Sequence, residues 1–170
     1  MKRNGKGLAK YIGRAKALGA KGAKIIRART IAPAEWVRLK CKFGCGGYGH
    51  RLTCPPRSPA PAETREMLRH YGKALLVHGD NRHTDVSVIV SKLEREIFLD
   101  GFYRAFAMGS GPCRLCKECA EFCRHPEQAR PAMEACGIDV YKTVRANGFP
   151  INVVTSEDSQ ANYYGVVLIE

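Results

Sequence analysis

The sequence predicts an α+β domain: a small mixed β-sheet covered by helices, with two cysteine-rich cluster-binding loops. Three observations predict it. Apolar residues recur with helical period over residues 6–20 and 86–108. Strand-sized apolar runs lie at residues 73–78 and 163–169. Two groups of cysteines set among glycine and proline separate these segments. A chain of 170 residues suits one domain with a small appendage. The division expected is a basic N-terminal helix over residues 1–22 and a single cysteine-rich metal-binding domain over residues 23–170.

The elements follow in order. Leu8, Tyr11, Ile12, Ala15 and Leu18 form one face of the first helix, and Gly19 and Gly22 close it. Residues 23–31 read as a strand, and Trp36–Leu39 as a short second one beyond Pro33. Pro61 suits the first turn of a helix running to about Tyr71. Lys73–His78 reads as a buried strand, turned by Gly79, Asp80 and Asn81. Thr84 or Asp85 caps a helix expected from Val86 to about Met108, with a kink at Gly101. A helix is expected over Glu127–Ala135. Another, capped by Asp139, runs from Val140 to Asn147 and stops at Gly148. Residues 151–155 and 163–169 read as strands joined by a polar hairpin loop.

Charge and hydropathy exclude some classes. No apolar run approaches the roughly 18 residues of a membrane span, and no apolar segment follows the basic N-terminus as a secretory signal requires. A cytoplasmic location with no membrane partner is expected, and there thiols stay reduced. The net charge is +12, and residues 1–34 hold ten Lys and Arg with no acid before Glu35. Such an excess offsets an anionic cofactor, docks an acidic redox partner protein, attracts nucleic acid, or is simply a solvated face.

The chemistry lies in eight cysteines: Cys41, Cys45, Cys54, Cys113, Cys116, Cys119, Cys123 and Cys136. The run Cys113-x2-Cys116-x2-Cys119-x3-Cys123, with Pro126 close behind, has the spacing of bacterial ferredoxins that bind [4Fe–4S] clusters. It departs from that pattern in placing Arg124 and His125 before the proline. Upstream, Cys41, Cys45 and Cys54 frame a stretch with four glycines and end in Cys54-Pro55. Glycine lets a backbone close on a bulky object.

Eight thiolates suffice for two four-thiolate sites. Ferredoxin logic puts Cys113, Cys116 and Cys119 on one cluster, completed by Cys136, and sends Cys123 across to Cys41, Cys45 and Cys54. Other divisions remain open: Cys54 completing the first cluster, or one cluster only. Zinc is the competing metal, since Cys41/Cys45 with Cys113/Cys116 form two short pairs. Three thiolates at three-residue steps exceed what such pairs require. The further ligand candidates are His50, His70, His78, His83 and His125.

Taken together, these motifs resemble a family of predicted metal-binding proteins of anaerobic microbes, filed under a domain of unknown function. The resembling residues are Cys41-x3-Cys45-Gly-x-Tyr48-Gly-x4-Cys54-Pro-Pro, Cys113-x2-Cys116-x2-Cys119-x3-Cys123-Arg-His-Pro, and the stretch from Ala129 through Cys136 to Val140. The resemblance runs from about residue 24 to the C-terminus. It implies metal binding through the cysteines, Cys136 among them, and no particular reaction.

The function expected is an iron–sulfur protein that transfers electrons or serves as a redox subunit, with two [4Fe–4S] clusters. The alternative is a zinc-stabilised binding module whose basic face contacts nucleic acid. No paired carboxylates, nucleophile elbow or phosphate-binding loop marks a catalytic centre. Glu134 and Asp139 flank Cys136 and could move protons there, though Asp139 also suits a helix cap.

Overall fold

The computed structural model describes residues 7–80 and 84–170. The first residues of the expected N-terminal helix, Asn81 of the expected turn, and His83 lie outside them. Helices cover a four-stranded sheet, as expected, but every strand pair is antiparallel. The strands are β1 (Gly22–Arg27), β2 (Lys73–Gly79), β3 (Phe106–Met108) and β4 (Tyr163–Leu168), in the order β1-β2-β4-β3. The helices are α1 (Ala9–Ala17), α2 (Glu35–Gly44), α3 (Pro61–Leu68), α4 (Val86–Leu99) and α5 (Val140–Ala146).

Alternation along the two central strands sorts the core into two layers. Ala74 and Leu76 of β2, with Tyr164, Val166 and Leu168 of β4, face a layer containing Leu68, Met133, Cys136, Ile138 and Val144. Leu75, Val77, Val167 and Ile169 face the opposite layer. There they meet Leu8, Tyr11 and Ala15 around α1 and Ile89, Val90, Leu93 and Ile97 of α4. Both central strands are therefore apolar on both faces, the pattern of a sheet covered on each side. No helix among the described residues is long and apolar enough to cross a membrane.

Several elements depart from expectation. Trp36–Leu39 belongs to α2 rather than to a strand. A four-residue apolar run does not reveal its period. Only Val37 of that run is buried, with Cys41 four residues on partly covered, while Trp36, Leu39 and Phe43 face solvent. The long helix stops at Leu99. Gly101 ends it instead of kinking it: its φ of 92° lies in the left-handed region, and the Phe102 N–H closes back on the Ile97 carbonyl at 3.2 Å. Ala105 is thereby freed, and Met108 enters β3 beside β4.

Residues 127–135 do not form the expected helix. Pro131 cannot donate within one, and the backbone here pairs with Gly109 instead, leaving a single 3-10 turn at Glu134–Cys136. Nor is residue stretch 151–155 a strand. Both edges of β4 are taken by β2 and β3, so no partner remains beside it. Ile151 alone of the five is buried. The expected caps do form: Asp85 accepts from the Val88 N–H at 3.1 Å, and Asp139 from the Lys142 N–H at 2.8 Å.

Candidate metal centre

The cysteine run is one closed loop. It leaves the sheet at Gly109 and returns at Ala132, where the two positions bridge. Gly109 N–H donates to the Pro131 carbonyl at 2.8 Å, and Met133 N–H to the Gly109 carbonyl at 3.0 Å. Two ties anchor the loop to α4. The Ser87 hydroxyl donates to the Ser110 carbonyl at 3.1 Å. Arg130 forms a two-pronged pair with Glu94, Nε and Nη2 each 2.6 Å from a carboxylate oxygen. Both side chains are largely covered, and Glu94 also accepts the Ala107 N–H at 2.6 Å. Between these anchors the loop has no helix or strand. A connection this long without regular structure inside a packed domain is uncommon unless it serves a function.

Within the loop, Cys113, Cys116, Cys119 and Cys123 line one cleft. Its remaining wall includes Arg51, Leu52 and Thr53 from the upstream loop and His125 from the run itself. The two cysteine loops therefore meet directly. The Arg51 Nη1 donates to the Cys116 carbonyl at 2.9 Å.

The upstream group is built on α2 and the loop to α3. Helix α2 carries Cys41, whose Sγ stands 3.8 Å from the Glu134 carbonyl. Cys45 and Cys54 converge on Gly47. A Cβ at that residue would lie 3.2 Å from the Cys54 sulfur and 3.6 Å from the Cys45 sulfur, so only glycine leaves this space to the thiols. The Gly47 N–H donates to the Cys45 sulfur at 3.4 Å. The loop is fastened to the turn at Glu134–Cys136: the Ser58 hydroxyl donates to the Ala135 carbonyl and the Thr64 hydroxyl to the Cys136 carbonyl, both at 2.6 Å. Arg38 of α2 donates to the Pro59 carbonyl at 2.5 Å.

Cys136 itself is wholly buried in the core layer that holds α5. Its turn abuts the Cys41 helix, so the fold places it with the upstream group. In the structure Cys123 lines the same cleft as Cys113, Cys116 and Cys119, and the turn that ends in Cys136 packs beside α2, the helix that carries Cys41. The crossed division expected from ferredoxin spacing would instead send Cys123 to the upstream thiols and Cys136 to the run. The run is pinned at both ends, by the Gly109–Ala132 bridge and by the ties to α4.

Electrostatics mark the upstream group as costly to ionise in the protein alone. Burial pushes the Cys136 thiol up to about 12. Burial also raises the Cys41 and Cys54 thiols, opposed by Arg38 and Arg51 respectively and reinforced by the Cys45 thiolate in both cases. A bound cation reverses the balance, because it stabilises thiolates and releases their protons. Glu134 adds to the repulsion on Cys41 and Cys136. Its own carboxyl is raised by burial, and its Oε2 is covered with no hydrogen-bond partner.

The candidate donors are eight thiols, with His125 beside the downstream four; thiols suit soft metals and iron–sulfur clusters. All eight cysteines are free thiols. Among the described residues, no group of three or more His, Cys, Asp or Glu side chains is gathered tightly enough to hold a single metal ion. Of the expected histidine candidates, His125 lines the cleft. His78 is engaged elsewhere, 2.8 Å from the Asn162 Oδ1 and stacked on Tyr164. Residue-by-residue reading did not single out Arg38, Arg51 or Ser58. The only signal available was a basic or hydroxyl residue within a few positions of a cysteine.

No curated protein and no solved structure matches the chain. One family profile does, over residues 24–169, a span that takes in both cysteine loops and the Cys136 turn but leaves out α1. The features that the fold brings together are thus the ones the match covers, and the chain belongs to the family described as predicted metal-binding protein (DUF2284).

Proposed function

We propose that this protein binds two [4Fe–4S] clusters and works as an electron carrier or redox subunit. The observation that carries the reading is the closed loop in which Cys113, Cys116, Cys119 and Cys123 line one cleft. The residues that would hold the second cluster are Cys41, Cys45, Cys54 and Cys136. Such clusters, when bound, supply one-electron chemistry. The protein's own residues hold and shield them. Gly47 leaves room for the thiolates, its N–H and the Arg38 and Arg51 guanidiniums offset thiolate charge, and Leu52 lines the downstream cleft.

An acidic partner protein would dock on the exposed face of α2, where Trp36, Leu39 and Phe43 stand beside Lys40 and Lys42. That helix also carries Cys41, so a partner seated there comes close to the upstream thiols. The competing reading, a zinc-stabilised nucleic-acid binder, draws on the basic N-terminal stretch. Three of its cations are already matched within the chain: Lys10 with Asp100 at 2.8 Å, Arg14 with Glu96 at 2.8 Å and Lys21 with Asp80 at 3.1 Å. A fourth, Lys24, donates to the Asn147 carbonyl at 2.9 Å. These pairings favour the electron-transfer reading.

Anaerobic purification followed by iron, zinc and acid-labile sulfide analysis tests the proposal. Two clusters require about eight irons and eight sulfides per chain, with visible absorption that bleaches on reduction. Colourless protein holding zinc and binding nucleic acid with steep salt dependence would overturn it.

A further inference from the structure

A second cavity adjoins the cysteine loop. It measures about 610 Å³, within the range of small-molecule sites. It lies between the first turns of α4 and the cysteine loop, with Tyr163 of β4 also lining it. Cys113 and Leu115 form part of its wall and part of the wall of the cysteine cleft, so the two spaces share a partition. An electron carrier needs no such chamber.

Its charges are uneven. Lys92, Arg114 and Arg130 line it, against one acid, Asp85. Arg130 is neutralised by Glu94. Asp85 caps α4 by accepting the Val88 N–H. Lys92 and Arg114 enter no ion pair among the described residues, and both are exposed. Two unmatched cations therefore face the same space as the apolar side chains of Val86, Val88 and Leu115. Convergent cations beside apolar walls recognise an anionic group carried on an apolar body.

We propose that this cavity binds a small organic anion, a carboxylate or phosphate ester with an apolar body, next to Cys113. The iron–sulfur reading bears only on why a ligand would sit beside Cys113; the binding itself does not depend on it.

Calorimetry on the full chain, purified anaerobically with whatever metal it carries, tests the site. The probes are phenyl phosphate and benzoate, with benzyl alcohol and benzamide as neutral counterparts. At least one anion should bind saturably, about tenfold or more tighter than its neutral counterpart, and less tightly as salt rises. Lys92→Gln and Arg114→Gln should each weaken it by about fivefold to tenfold. Ser91→Phe, which fills the cavity from α4, should abolish binding with metal content unchanged. No saturable binding of either anion, equal binding of the neutral compounds, or insensitivity to both Lys92→Gln and Arg114→Gln overturns the proposal. A loss of metal in those two variants without anion binding in the parent likewise overturns it, and assigns the cations to the thiolates. Should Ser91→Phe fail to fold, the two surface variants still decide. Zinc in place of iron would sink the electron-transfer reading and leave this result standing.

Discussion

Arg51 reaches out of the glycine-rich loop and donates its Nη1 hydrogen to the carbonyl oxygen of Cys116, 2.9 Å away. This bond joins two segments 65 positions apart in the chain and closes the wall of the cleft that the four downstream thiols line. Arg51→Ala should cost only about 1 kcal/mol of global stability, the usual net worth of one hydrogen bond. Its effect on metal should be larger. A chelator should strip the downstream thiols about tenfold faster in the variant, in line with the cost of losing a residue that supports metal ligands. Metal release followed by absorbance checks this; an unchanged rate would show that the two loops are not coupled.

Gly47 makes a complementary case upstream. An alanine Cβ there would press on the Cys54 sulfur at 3.2 Å and the Cys45 sulfur at 3.6 Å. Gly47→Ala should fold with near-parental stability, because the contacts its Cβ would make are with the Cys54 and Cys45 sulfurs and Pro112, outside the two core layers. Metal affinity of the upstream group should fall by about tenfold, while the downstream group keeps its metal. Stoichiometry by elemental analysis distinguishes the two: a loss of about half the metal is expected, and full retention would mean that the space beside Gly47 is not used.

Glu134 provides a pH test. Its carboxyl is buried, its Oε2 lacks a partner, and burial raises it above the ordinary carboxylate range. A raised acid favours the protonated form in the folded state. Its stabilising effect is therefore complete below the unfolded value of about 4.3 and is lost as pH rises through the higher folded value. Glu134→Gln removes that titration. The variant should become increasingly more stable than the parent as pH climbs above the unfolded value, and hold a constant lead once pH exceeds the raised folded value. Urea midpoints of both proteins across that range measure it, and parallel curves would refute the assignment.

The Arg130–Glu94 pair anchors the return of the cysteine loop, with side chains only 17% and 12% exposed. Glu94→Ala strips the guanidinium of its carboxylate, leaving it the Pro126 and Ala129 carbonyls, and leaves the Ala107 N–H without its acceptor. A loss of about 3 kcal/mol is expected, as for other half-broken buried pairs. Replacing both partners, Glu94→Leu with Arg130→Met, should recover part of that loss and not all of it, because Ala107 stays unsatisfied. Denaturant unfolding of the single and double variants reads the difference; full recovery would assign no weight to the Ala107 bond.

By itself, the sequence determined the metal-binding character and the regular elements with strong periodicity. Eight cysteines, four of them at ferredoxin spacing, announce metal binding whatever the fold, because spacing within a few residues is a local property. The strands at residues 73–79 and 163–168 and the caps at Asp85 and Asp139 were equally legible, since apolar runs and side-chain caps also act locally. Only the tertiary structure decided the rest. Trp36–Leu39 coils into a helix although its composition suits a strand. Residues 151–155 stay out of the sheet because β4 has no free edge. Above all, how the two cysteine loops are held depends on contacts far apart in sequence. Arg130 with Glu94 closes the downstream loop, and Ser58 with Ala135 draws the upstream loop to the Cys136 turn. Such partners are chosen by packing across the whole chain, and no spacing rule within one segment contains them.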